Sequence, residues 1–329
     1  MRPLTCLSRS RCTPLTVALA SLFILSGCSH GYAYLPLTPT KAASESETLA
    51  EGIAEAEAAL ADCAGAQLSP SVIHLGCDNA QEVYAARYDA EVEAEACEAI
   101  ASDVYRGAEI ASGPDLQLPP PSFTYRTTVD TPLGNSLAVV SCSPSADGGL
   151  LFLTAFAKGQ LDNGFYTRAL PTIANEGVPA SLVTSLRPDS LEFFGRALPV
   201  SGACRLMGAR NLSCYPYGQM DWSRFDSLEA AQASSDQRRS ASVEVGATVL
   251  EDEMVACSFE GIDTTCRKVV YRLPVSRLLT LGASNVLVTY FAEEEVRGHN
   301  AQAVCSFYDD QAPEGGLAPL CEEAFELGP

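Results

Sequence analysis

Ten cysteines spread over residues 63–321 constrain this chain of 329 residues more than any other feature. They are Cys63, Cys77, Cys97, Cys142, Cys204, Cys214, Cys257, Cys266, Cys305 and Cys321. An even set reads as a disulfide framework if the chain folds in an oxidising compartment, although the count alone leaves the connectivity open. No C-x-x-C occurs, so neither a thioredoxin-type redox pair nor a zinc ribbon is signalled. Short intervening segments favour Cys204 with Cys214 and Cys257 with Cys266, each across a hairpin.

The compartment is legible at the amino terminus. Arg2, Arg9 and Arg11 precede an uncharged run over 15–25, followed by Ser26, Gly27 and Cys28. A positive segment, a short apolar segment and small residues are the parts of a secretory signal peptide. The apolar run falls well short of the roughly 20 residues needed to cross a bilayer. Leu25-Ser26-Gly27-Cys28 resembles the lipobox of bacterial lipoproteins. That resemblance implies cleavage after Gly27, diacylglycerol on the Cys28 sulfur and acylation of the new amino group. Two or three acyl chains give stable anchoring where one is marginal. Ser29 in place of Asp implies the outer membrane and a periplasm-facing domain. Gly27-Cys28-Ser29-His30-Gly31 also matches G-x-S-x-G, but that motif needs a strand before it and a helix after it, and here it straddles the cut.

Charge excludes some partners. Asp and Glu number 41 against 21 Lys and Arg, and removal of the leader takes away three more cations. So acidic a chain is unsuited to nucleic acid or to docking on anionic head groups, both of which need basic patches.

The expected organisation is an α+β fold: an antiparallel helical hairpin packed on a mainly antiparallel, disulfide-stapled β body, either sandwich or barrel-like. Residues 1–27 are the leader and 28–43 a lipidated tether. Residues 44–112 form the acidic hairpin. Ser44 and Glu47 suggest a capping box, with Leu49, Ile53, Ala56, Leu60 and Cys63 at helical spacing. A second helix opens at Asp78 and carries Val83, Ala90, Cys97 and Val104 at seven-residue steps. In that hairpin Cys63 and Cys77 flank the turn and pair. Cys97 lies at the far end and reaches into the next domain, to Cys142; Cys305–Cys321 completes the set. A Pro-rich linker at 113–122 leads to a β-rich region, 123–329. Strands are expected at 123–129, 136–141, 150–157, 191–198, 241–250, 254–259, 264–273, 285–293 and 301–308, with helices at 226–235 and 317–327. Faint similarity between the segments around Cys204 and Cys257 suggests two β-subdomains, 123–200 and 241–329.

Residues suited to catalysis are scarce. The histidines are His30, His74 and His299. His30 lies in the tether and His299 in a polar turn. His74 with Cys63 and Cys77 could supply three zinc ligands, but in an oxidising compartment the two cysteines pair instead. No nucleotide-binding, metalloprotease or EF-hand signature is present. These residues therefore assign no catalytic group, metal or cofactor. Trp222 near Tyr215 and Tyr217 is the candidate partner-binding cluster, with core packing as its plainer role. The leading expectation is a non-catalytic envelope lipoprotein that binds another envelope component or serves in assembly. The alternative is a lipid-anchored hydrolase acting on cell-wall or glycan material through paired carboxylates.

Overall fold

The computed structural model describes residues 32–41, 47–106, 108–131, 134–244, 246–274 and 284–328. Cys28 and its lipobox lie outside them.

Two eight-stranded sheets dominate. The first holds β1 (Cys63–Ser69), β2 (Val72–Cys77), β3 (Gln81–Tyr88), β4 (Ala111–Ser112), β5 (Phe123–Thr131), β6 (Gly134–Pro144), β7 (Leu150–Ala157) and β8 (Val183–Thr184). Its spatial order is β4-β5-β6-β7-β3-β2-β1-β8. A two-stranded ribbon, β9 (Ser190–Phe193) and β10 (Arg196–Pro199), follows. The second sheet holds β11 (Cys204–Gly208), β12 (Asn211–Cys214), β13 (Gln219–Phe225), β14 (Thr248–Phe259), β15 (Ile262–Arg272), β16 (Val286–Val296), β17 (His299–Tyr308) and β18 (Phe325–Leu327). Its order is β11-β12-β13-β17-β16-β15-β14-β18. Among the described residues five α-helices accompany them: α1 (Glu47–Ala59), α2 (Ala94–Val104), α3 (Asn163–Glu176), α4 (Leu228–Glu244) and α5 (Pro319–Glu322).

The helical hairpin expected over 44–112 is overturned. Among the described residues of that stretch, α1 and α2 are separated by the hairpin-linked strands β1, β2 and β3, and they cover opposite faces of the first sheet. The seven-residue seam misled because both faces of these strands are buried, which hides a period of two. Ile73, Leu75, Val83 and Ala85 face a core with α3. Val72, Ala86 and Tyr88 face the other way, toward Cys97 and Ile100 of α2. The stiff linker gives way too, since β4 and β5 pair across it. Residues 32–41 are no free spacer either. They run extended along the body, with Leu35 N–H donating to the Arg87 carbonyl at 2.9 Å and Thr40 N–H to Val178 at 2.7 Å.

Farther on, the strands expected at 123–129, 136–141 and 150–157 coincide with β5, β6 and β7. The segment 241–250 does not: α4 runs on to Glu244 before β14 begins. The tail forms only the short α5 and then β18. Helix α3 was not anticipated, although its ends are encoded. Asp162 accepts from the N–H groups of Gly164 and Phe165 at 3.0 and 3.1 Å, and Gly177, at φ 80°, lies just past its last turn.

The recurring unit differs from 123–200 and 241–329. Residues 63–157 and 204–308 have one connectivity: three antiparallel strands, a helix, then four strands that return to pair with the third. In each unit the first hairpin carries a disulfide across directly opposed residues, Cys63–Cys77 and Cys204–Cys214. The other bridges are Cys97–Cys142, Cys257–Cys266 and Cys305–Cys321, so all five join the expected partners. Cys63 and Cys77 pair as cross-strand neighbours rather than at a helical turn. Cys97–Cys142 clamps α2 onto β6 and closes 45 residues of chain. Replacing both by serine is expected to lower stability by about 2–4 kcal/mol, read from urea unfolding of the oxidised proteins.

Candidate functional site

A cavity of about 550 Å³ opens where the two units meet. Its floor is the α2-bearing face of the first sheet, with Tyr84, Ala86, Tyr88, Phe152 and Phe156. The C-terminal end of α2 supplies Val104 and Tyr105 as one wall. Leu186, Arg205, Leu206 and Met207, from β11 and the segment before it, form the opposite wall. Tyr34, from the extended amino-terminal segment, closes one side; its hydroxyl lies 3.2 Å from that of Tyr88 and the rings are 4.6 Å apart. This lining follows from the strand period. Even-numbered residues of β3 and β7 point to one face, and those that reach the cavity, Tyr84, Ala86, Tyr88, Phe152, Thr154 and Phe156, are aromatic or small.

The polar groups of the lining are mostly neutral hydroxyls. Burial pushes the Tyr84 phenol well above its ordinary value, and the nearby Glu82 carboxylate adds to the effect. Burial likewise raises Tyr88 and Tyr105. All three therefore remain protonated across the physiological range. Among the described residues Arg205 is the cation of the lining.

Beside the cavity, a charged cluster joins the two units. His74 stacks on Tyr84 at 4.3 Å, and Tyr84 stacks in turn on Phe156 at 5.7 Å. The Ala209 backbone N–H donates to His74 Nδ1 at 2.9 Å, so that nitrogen offers a lone pair and the ring proton sits on Nε2. His74 Nε2 faces Glu82 Oε2 at 3.4 Å, while Lys158 Nζ holds Glu82 Oε1 at 2.7 Å. Burial would raise the Glu82 carboxyl, but Lys158 and His74 outweigh it and hold the group well below the usual carboxylate range. Across the seam, Arg210 of the second unit reaches Asp78 of the first at 2.8 Å and donates to the Asp62 carbonyl at 2.9 Å. Burial pulls Arg210 below its ordinary value against the opposing pull of Asp78. Gly208 lets the backbone come this close: a Cβ there would lie 3.0 Å from His74 Nδ1. The cluster acts as a junction, fixing β11 over the first sheet and so shaping the cavity.

Of the sequence candidates, Trp222 is separated from its expected companions. It is buried in the core of the second unit, edge-on to Phe193 at 5.6 Å. Tyr215 and Tyr217 are exposed in the turn between β12 and β13. An aromatic binding face made by all three is therefore not formed. His299 begins β17 opposite Val296. Cys63 and Cys77 are bonded to each other, which leaves His74 without thiolate companions for zinc. Among the described residues no group of three or more metal-ligating side chains converges, and no helix is long and apolar enough to cross a membrane. The residues that line the cavity were missed. Their signal was present in 150–157, a strand apolar at nearly every position, which requires cover on both faces.

No family model and no curated protein matches the chain. Among solved structures it is similar to DynU16, a protein of the dynemicin biosynthetic locus, at 9% identity over 89% of this chain and 90% of that one. The TM-score is 0.16, and at that value the likeness carries nothing for fold or function.

Proposed function

We propose that this chain is an envelope lipoprotein, held in the outer membrane by acylated Cys28, whose folded part is a non-catalytic module that takes up an apolar molecule. The observation that carries the binding half is the cavity: about 550 Å³, walled mainly by aromatic and aliphatic side chains with a few hydroxyls. Small-molecule sites have this size and make-up. The anchoring half is supported by Leu25-Ser26-Gly27-Cys28 and by five disulfides, which belong to an oxidising compartment. Only six residue steps separate Cys28 from Tyr34 at the cavity wall. At full extension these span at most about 20 Å. The cavity of an acylated protein would then lie next to the bilayer surface, where apolar molecules are concentrated.

The hydrolase alternative draws less support. Glu82, the buried carboxylate beside the cavity, already has both oxygens engaged, by Lys158 and His74. Those contacts hold it ionised and give it no raised pKa for acid catalysis.

Two measurements test the reading. Wild-type protein is expected to enhance the fluorescence of N-phenylnaphthylamine, an apolar dye, and Ala86→Trp is expected to abolish most of that signal while retaining a cooperative unfolding transition. Equal enhancement by both proteins would remove the cavity from the function. In cells, an alkyne fatty acid is expected to label the wild-type chain and not Cys28→Ala; an unlabelled wild-type chain overturns the anchoring.

A further inference from the structure

Among the described residues, Arg205 is the cation that lines the cavity at the junction between the two units. Arg196, Arg210, Arg224 and Arg297 each hold a carboxylate within 3.0 Å. Arg205 is exposed at the cavity wall and makes no ion pair or side-chain hydrogen bond among the described residues. Other exposed arginines, Arg187 among them, also lack a carboxylate, so what distinguishes Arg205 is its place in the cavity lining. Among the described residues no carboxylate lines the cavity either. The arrangement is thus an apolar chamber with neutral hydroxyls inside and one uncommitted guanidinium at its edge.

On the reading of the cavity as a binding site, we infer that the ligand is an amphiphile with one anionic head: the head pairs with Arg205 and the apolar body fills the chamber between β3, β7 and β11. A guanidinium binds a carboxylate or phosphate through parallel N–H donors, and such charge-assisted bonds exceed neutral ones in strength. The overall negative charge of the protein does not forbid this, because exposed charges farther away than about 8 Å are largely screened at physiological ionic strength. Apolar burial supplies most of the affinity, and Arg205 supplies the choice of head group. A neutral long-chain alcohol would enter the same chamber and leave Arg205 unpaired.

Displacement of N-phenylnaphthylamine from the full mature chain tests this with three probes of equal chain length: laurate, dodecyl phosphate and dodecanol. With wild-type protein, at least one of the anions is expected to displace the dye at a concentration roughly tenfold below that of dodecanol. Which anion does so distinguishes a carboxylate from a phosphate head. Arg205→Gln is expected to erase the preference while leaving dodecanol unchanged, and Arg205→Lys to keep part of it. If dodecanol competes as well as both anions, or if Arg205→Gln keeps the preference, the head-group assignment is overturned and the cavity stands. If the dye never binds, it is the cavity reading that fails.

Discussion

Replacing Glu82 by alanine is expected to destabilise the protein by about 3–5 kcal/mol, because it leaves the Lys158 ammonium, at a part-buried junction, with only the more distant Asp221 at 3.9 Å. The carboxylate is buried and touches both Lys158 and His74, so its removal affects two groups at once. Urea unfolding near neutral pH measures the loss. A midpoint equal to that of wild type would show that the network adds nothing to the joining of the two units. A double variant, Glu82→Gln with Lys158→Met, removes both charges and is expected to recover part of the loss, since an apolar replacement of a buried pair is often nearly neutral. The same group predicts an acid dependence. The folded Glu82 carboxyl titrates below its unfolded value of about 4.3, so the unfolded chain binds the proton more readily. Its stabilising effect is complete above about pH 5 and is lost as the pH falls through that unfolded value and below it. Glu82→Gln is therefore expected to flatten the decline in stability between roughly pH 5 and pH 3.

Trp222→Ala is expected to cost a similar amount, about 3–5 kcal/mol, through the void it opens in the second unit. Trp222 sits on β13 opposite Ala303 of β17 and packs against Phe193, itself fully buried. The side chain is the protein's one tryptophan, so far-ultraviolet circular dichroism rather than intrinsic fluorescence must follow the unfolding. Tyr215→Ala, at a residue 79% exposed, is expected to stay within about 0.5 kcal/mol of wild type. A large loss at Tyr215 with none at Trp222 would reverse these assignments.

Much of the β architecture could be read from local chemistry. Strands β5, β6 and β7 show where polar and turn residues interrupt runs of Val, Thr, Phe and Leu, and the residues say so without help from the rest of the chain. The disulfide partners were legible as well, but for reasons that hold only in part. Cys204–Cys214 and Cys257–Cys266 are hairpin neighbours, as short separations of 10 and 9 residues suggest. Cys63–Cys77 arose in the expectation from a helical turn, and the structure makes it by strand register. Helix α3 was overlooked despite Asp162 before it and Gly177 after it; Pro171 within it breaks the usual helical signature.

What failed was the reading of β1 to β3. Ala-rich segments buried on both faces show neither a clean period of two nor a clean period of 3.6, and local propensity cannot choose between them. The choice was made by cover from outside: α1 and α3 on one side, α2 and β11 on the other. The candidate site shares that origin. Arg205, Tyr84 and Phe156 are scattered along the chain, and no spacing joins them.

By itself the sequence determined the two short-range bridges, Cys204–Cys214 and Cys257–Cys266, and the strands β5 to β7 and β14 to β17. Each of these depends on composition or on contacts close along the chain. Only the tertiary structure decided the repeated unit, the salt-linked junction and the cavity, because each requires one sheet to be laid against another. Burial on both faces is a property of that meeting, and it leaves no periodic mark on either strand alone.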